Sequence, residues 1–160
     1  MRLFFVLIAL VCLASAAAED RSLSVALTGL DGQQATLTLP ELDALPQVKI
    51  TATEHGSPHV FEGALLGDVL TKVGAPAGKA MHGAELADVI IIEARDGYKV
   101  ALALAATDAS MRTERVILAD RMDGASLDAS KGPFQLVVEG DLRPARAVRM
   151  VSAIRLARVR

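Results

Sequence analysis

Cysteine is almost absent from this 160-residue chain: there is one, Cys12, inside an apolar segment near the start. The rest of the chain therefore offers no thiolate metal ligand, no cysteine nucleophile and no disulfide. Tryptophan is missing and aromatic residues make up 3%, so a core drawn from the 52% hydrophobic residues must be packed mainly with Ala, Val, Leu and Ile. Neither sign of charge dominates. With 17 Lys and Arg against 19 Asp and Glu, the balance speaks against nucleic acid as a partner. No glycine-rich phosphate signature precedes a helix, and no Gly-x-Ser-x-Gly elbow is present, which argues against phosphate-loop and serine-hydrolase chemistry.

What is present starts at Arg2, which precedes the unbroken apolar run Leu3 to Leu13 and the small-residue stretch Ala14 to Ala18. That order is the pattern of a secretory signal. Ala16 and Ala18 have the spacing a signal peptidase requires, so cleavage is expected after Ala18, with Glu19 opening the mature chain. The run is too short for the roughly 20 residues of a membrane-spanning helix. Acylation at Cys12 is disfavoured by Val11, which stands where a small residue is wanted. The expectation is a signal peptide over 1–18, one domain over 19–160, a periplasmic or secreted location, and no membrane-embedded segment after cleavage.

Along the mature chain, Leu23 to Leu27 and Ala35 to Leu39 alternate around Gly29-Leu30-Asp31-Gly32 and read as a hairpin. Pro40 opens a helical turn over 41–45, and Val48 to Thr53 reads as a strand. After turn formers at His55-Gly56-Ser57-Pro58, the spacing of Leu65, Leu66, Val69, Leu70 and Val73 predicts the one good helix, capped by Gly74. Val89 to Ile92 reads as a buried strand turned by Asp96-Gly97 into Tyr98 to Leu102. Leu104 to Asp108 makes a helical turn, and Arg115 to Ala119 another strand ending near the Asp123-Gly124 turn. Phe134 to Val138 and Ala147 to Val159 complete the set as strands around an arginine-bearing loop. The class is α+β, a β-rich single domain.

Three ordered segments, Leu39 to Pro46, Phe61 to Leu70 and Asp96-Gly97-Tyr98, together with Lys131 to Asp141 and Ala145 to Arg149, resemble the molybdopterin-binding domain of the sulfite oxidase family. The resemblance runs from about Leu23 to Leu156. It implies that family's fold, a molybdopterin cofactor, and oxidoreductase activity with a redox partner such as a cytochrome. In that family the metal takes one protein cysteine from the loop after the strand matching Val48 to Thr53. Here the loop reads Ala52-Thr53-Glu54-His55-Gly56. The basic residues that the family's catalysts place nearby to bind an oxyanion are missing as well.

The candidates follow from this. Glu54, His55 and His59 are the dense cluster of metal-ligand types, but Gly56 and Pro58 argue for a turn that would not hold both rings on one face; His55 and His59 are thus weak metal candidates. Six arginines between Arg143 and Arg160 could hold an anion. The resemblance places the loop of Lys131, Arg143, Arg146 and Arg149 at the cofactor phosphate, and guanidinium suits phosphate or carboxylate. If Ala147 onward is one strand, Arg146 and Arg149 point to opposite faces. The ligand-binding candidates are Thr53, His55, Tyr98, Lys131, Arg146 and Arg149, with Arg149 preferred for an anion and no residue assigned as catalytic. The expected function is a non-catalytic exported domain binding a small anion, a cofactor or a protein partner; no cofactor is expected, molybdopterin being the one the resemblance implies. The alternative is a periplasmic molybdopterin-dependent oxidoreductase.

Overall fold

The computed structural model describes residues 23–159, so the expected signal segment lies outside the described residues. Two five-stranded sheets make up the domain. Sheet A orders β2 (Gln34–Thr38), β1 (Ser24–Thr28), β10 (Val151–Arg158), β5 (Asp88–Ala94) and β6 (Lys99–Ala103). Every neighbouring pair is antiparallel except β1 with β10, which is parallel. Sheet B orders β3 (Gln47–Glu54), β4 (Ser57–Leu65), β7 (Val116–Met122) and β8 (Ala125–Ser126), and β9 (Gln135–Val138) also pairs with β7.

Alternation decides which side chains meet between the sheets. Val25, Leu27, Leu37, Ile90, Ile92, Ile154 and Leu156 from sheet A are buried against Leu118, Leu136 and Val138 from sheet B. Two short helices, α1 (Leu39–Asp43) and α2 (Leu66–Leu70), add Leu42, Leu66, Val69 and Leu70 to that core. In β5 only alternate residues are buried; Val89 and Ile91 lie on the outer face, so the apolar run is a one-sided strand rather than one enclosed on both faces.

The largest departure from the sequence expectation is β4. Turn formers are indeed at His55 and Gly56, whose φ angles of 49° and 83° make a two-residue hairpin closed by Glu54 opposite Ser57. The chain then runs extended through Pro58, Val60 and Gly63 to Leu65, and the helix begins only at Leu66. Helical spacing from Leu65 onward concealed the strand, because Leu65 and Leu66 belong to both patterns. Residues 147–150 also differ from expectation: they form no strand, β10 starting at Val151.

Helix α1 is fixed at its start by charge. The Thr38 N–H and hydroxyl donate to Glu41 at 2.8 and 2.9 Å, and Lys72 Nζ donates at 3.0 Å. The Lys72 bond first, then those from Thr38, pull the Glu41 carboxyl down to about 2. A depressed folded value stabilises above the unfolded one and ceases to do so as pH falls toward 2. Glu41→Gln should therefore cost about 0.5–1 kcal/mol near neutral pH, the pair being partly exposed. The gap between urea midpoints of mutant and wild type should close in acid.

Candidate functional site

The site is created by a bend in sheet B. Through the register, Gln135 lies opposite Ala119, Ala119 opposite Gly63, and Gly63 opposite Val48. Glu54 is six residues further along β3, about 20 Å away in a flat sheet. Yet Gln135 Nε2 donates to Glu54 Oε1 at 3.0 Å. The β3–β4 hairpin must therefore curl across the face of its own sheet. The bend falls where consecutive Glu62 and Gly63 face Arg121 and Ala119, leaving Asp120 of β7 as the extra residue of a bulge, and β-bulges bend their strand. Gly63 permits it, since a Cβ there would sit 2.1 Å from the Leu118 carbonyl oxygen.

Inside the curl lies a second small core of Ile50, Phe61, Ile117, Ala119 and Val137. Glu54 continues the buried face of Ile50 and Ala52, and Gln135 that of Val137, so both polar side chains are delivered to the end of this apolar cluster. Glu54 is 2% exposed. Lys131 Nζ donates to its Oε2 at 2.6 Å, and Arg149 Nη2 to its Oε1 at 3.3 Å. Burial pushes the Glu54 carboxyl up; the bonds from Lys131 and Gln135 and the charges of Lys131 and Arg149 outweigh it, leaving the group below the usual glutamate value and ionised. Arg149 Nη2 also lies 3.2 Å from His55 Nε2. A guanidinium can only donate, so in this contact the imidazole nitrogen is the acceptor.

Beside the cluster opens a cleft of about 320 Å³, lined by Glu54, Asp96, Tyr98, Ser130, Arg149 and Met150 among others. Tyr98 donates its hydroxyl to the Ala145 carbonyl at 2.6 Å, tying the arginine-bearing loop to the β5–β6 turn. The Met150 N–H donates to the Lys131 carbonyl and the Arg95 N–H to the Met150 carbonyl. The cleft wall is thus held by hydrogen bonds from three segments.

His55 and Lys131 therefore converge with Arg149 around Glu54, and Tyr98 shares the cleft of Glu54 and Arg149. Thr53, exposed, lines an adjoining narrow crevice with Phe61 and Gln135. Arg146 stands apart: its guanidinium is engaged by Asp141 through two bonds. The arginines do not gather as one anion site, because Arg158 holds buried Asp88 at the far end of β10 and Arg155 lies in sheet A opposite Thr28. His59 pairs with Asp123 at 2.7 Å, while His55 faces Arg149, so the two imidazoles do not act together. Among the described residues no group of three or more His, Cys, Asp or Glu side chains is placed to hold a metal.

Gln135 was missed as a site residue, although its alternation with Val137 carried the signal. Glu54 was read only as a metal-ligand type. Its place two residues after Ala52 on a half-buried strand marks it as a buried carboxylate needing partners.

Among solved structures, the sulfane dehydrogenase SoxCD from Paracoccus pantotrophus matches with a TM-score of 0.62 at 17% identity, covering 84% of this chain and 38% of that one. Identity that low bears on the fold alone, and the chain spans well under half of that structure's length. No curated protein sequence matches the chain. The family model described as the oxidoreductase molybdopterin binding domain matches residues 13–159. With that match running over nearly all of its length and the fold agreeing, the chain belongs to the oxidoreductase molybdopterin binding domain family.

Proposed function

We propose that this chain is an exported, non-catalytic binding domain on the molybdopterin-binding scaffold, in which the segment Ala52 to Gly56, where the family's metal-ligating cysteine is expected, carries the buried carboxylate of Glu54 instead. The observation that carries this reading is the saturation of Glu54. Its two oxygens already receive Lys131, Gln135 and Arg149, so binding a metal there would mean breaking a buried ion-pair cluster. A thiolate-ligated molybdenum centre does not fit this donor set. Of the cations that would counter an anionic cofactor, Lys131 is held by Glu54 and Arg146 by Asp141, while Arg149 shares Glu54 with Lys131 and keeps part of its guanidinium exposed.

The cleft fits a small ligand better than a long cofactor, its volume of about 320 Å³ being at the low end for ligand pockets. Arg149 supplies a guanidinium edge to an anionic group, and Asp96 a carboxylate on the same cleft for a donor. No helix of the described residues is long and apolar enough to cross a membrane.

Molybdenum and pterin analysis of the natively exported protein, with the mass of its N-terminus, tests both halves. The expected result is molybdenum far below one per chain and an N-terminus at Glu19. Near-stoichiometric molybdenum would overturn the non-catalytic reading in favour of a molybdopterin-dependent oxidoreductase working with a redox partner. An intact Met1 would overturn export by a cleaved signal.

A further inference from the structure

We propose that Lys131, Gln135 and Arg149 form a carboxylate-binding pocket whose resident ligand in the native chain is Glu54 itself, an inference that rests on the reading of this site as free of metal. Three donors from three separate stretches of chain, one before β9, one on it and one before β10, converge on a single carboxylate. They divide its oxygens between them: Lys131 takes Oε2 at 2.6 Å, while Gln135 and Arg149 take Oε1 at 3.0 and 3.3 Å. That is the two-point, charge-assisted pattern by which proteins hold free carboxylates.

Gln135 supplies an independent sign. It is fully buried, and its Oε1 has no hydrogen-bond partner among the described residues. Leaving that acceptor unpaired is unfavourable. The amide keeps this orientation because the reverse would set its carbonyl oxygen against the Glu54 carboxylate. The pocket is thus arranged to give donors to an anion even at the expense of an orphaned acceptor. It is also reachable, since Glu54 and Arg149 both form part of the wall of the open cleft.

The geometry specifies the ligand's size. Cutting Glu54 back to alanine removes one methylene and the carboxylate, a fragment with the heavy atoms of acetate. Acetate should therefore re-enter the pocket of Glu54→Ala, placing its oxygens where the three donors already point. Acetamide has the same shape without the charge. Propionate is one methylene too long for a close-packed site.

The test is a titration of Glu54→Ala with sodium acetate, read by thermal midpoint and calorimetry, against acetamide, propionate and sodium chloride at equal concentration. Acetate should raise the midpoint saturably and bind about tenfold or more tighter than to wild type, a difference corresponding to about 1.4 kcal/mol. The gain should vanish in Glu54→Ala/Lys131→Met. An acetate response no larger than that of acetamide or chloride, or one equal in wild type, overturns the proposal. If Glu54→Ala is unfolded without additive, its folded fraction is titrated in the same way, with the same outcomes deciding. Glu54→Gln, which keeps shape but loses charge, gives a second readout: stability equal to wild type would also overturn the pocket. Failure here would leave the molybdenum analysis untouched, and molybdenum in the native protein would leave the acetate result to be read by itself.

Discussion

Glu54→Gln is expected to lower stability near neutral pH by about 3 kcal/mol, and Glu54→Ala by at least as much, because either change leaves Lys131 charged and largely buried without its counter-ion. The Lys131 side chain is 13% exposed and that of Arg149 37%. Lys131 therefore bears most of the loss, while Arg149 turns to solvent. For a domain of this size the shift is roughly 10 °C in thermal midpoint. The pH dependence has a definite sign. The folded Glu54 carboxyl lies below its unfolded value, so its contribution is present above that unfolded value and fades as pH falls through the folded one. Wild type and Glu54→Gln should accordingly converge in acid. Differential scanning calorimetry across the acid range checks both the size and the convergence; a constant gap at every pH would show that the carboxylate's charge contributes nothing.

Gly63→Ala is expected to be as damaging, for a reason that involves no charge. An added Cβ would lie 2.1 Å from the Leu118 carbonyl oxygen and 2.6 Å from the Ala119 Cα. Both are backbone atoms of β7 and cannot rotate away. Relief requires β4 to move off β7, loosening Phe61 and Ala64 on either side of the bend, both at most 1% exposed. A loss of about 3 kcal/mol or more belongs to this class of overpacking and backbone strain. Gly67→Ala is the comparison, since its Cβ would meet Thr107 alone, the carbonyl oxygen at 3.2 Å and Oγ1 at 3.8 Å, and the residue lies in a helix, where alanine is favoured. Urea midpoints of the two variants should differ widely. Near-equality would mean that the curl of sheet B does not depend on Gly63.

The strands bounded by clear turn chemistry were legible from the residues alone. Asp96-Gly97 and Asp123-Gly124 mark hairpin turns in the sequence and in the structure, with Asp123, Gly97 and Gly124 all at positive φ. β4 was not legible, because Pro58, Gly63 and the Leu65-Leu66 pair each point away from a strand, and only its pairing with β3 and β7 holds it extended. At the site, Lys131 and Arg149 were found through the family resemblance, and Tyr98 lies on the cleft that Arg149 lines. Their common partner was not, since Glu54 meets them only after a hairpin folds over its own sheet, a long-range event with no local sequence signature. Arg146 and His59 have the right chemistry for an anion or a metal but are engaged by nearby carboxylates that composition cannot assign.

The parallel pairing of β1 with β10 affects how the molecule is made. Sheet A has at its centre the last strand of the described chain, held to β1 by Ala26 opposite Ala153 and to β5 by Arg158 opposite buried Asp88. A ribosome must release nearly all of the described residues before that strand can insert, so β1 and β2 wait as an isolated hairpin, a form marginal in water. Such dependence on contacts between distant parts of the chain slows folding. Closure of sheet A is therefore a late event, in which the two ends of the described chain must find each other before either is held.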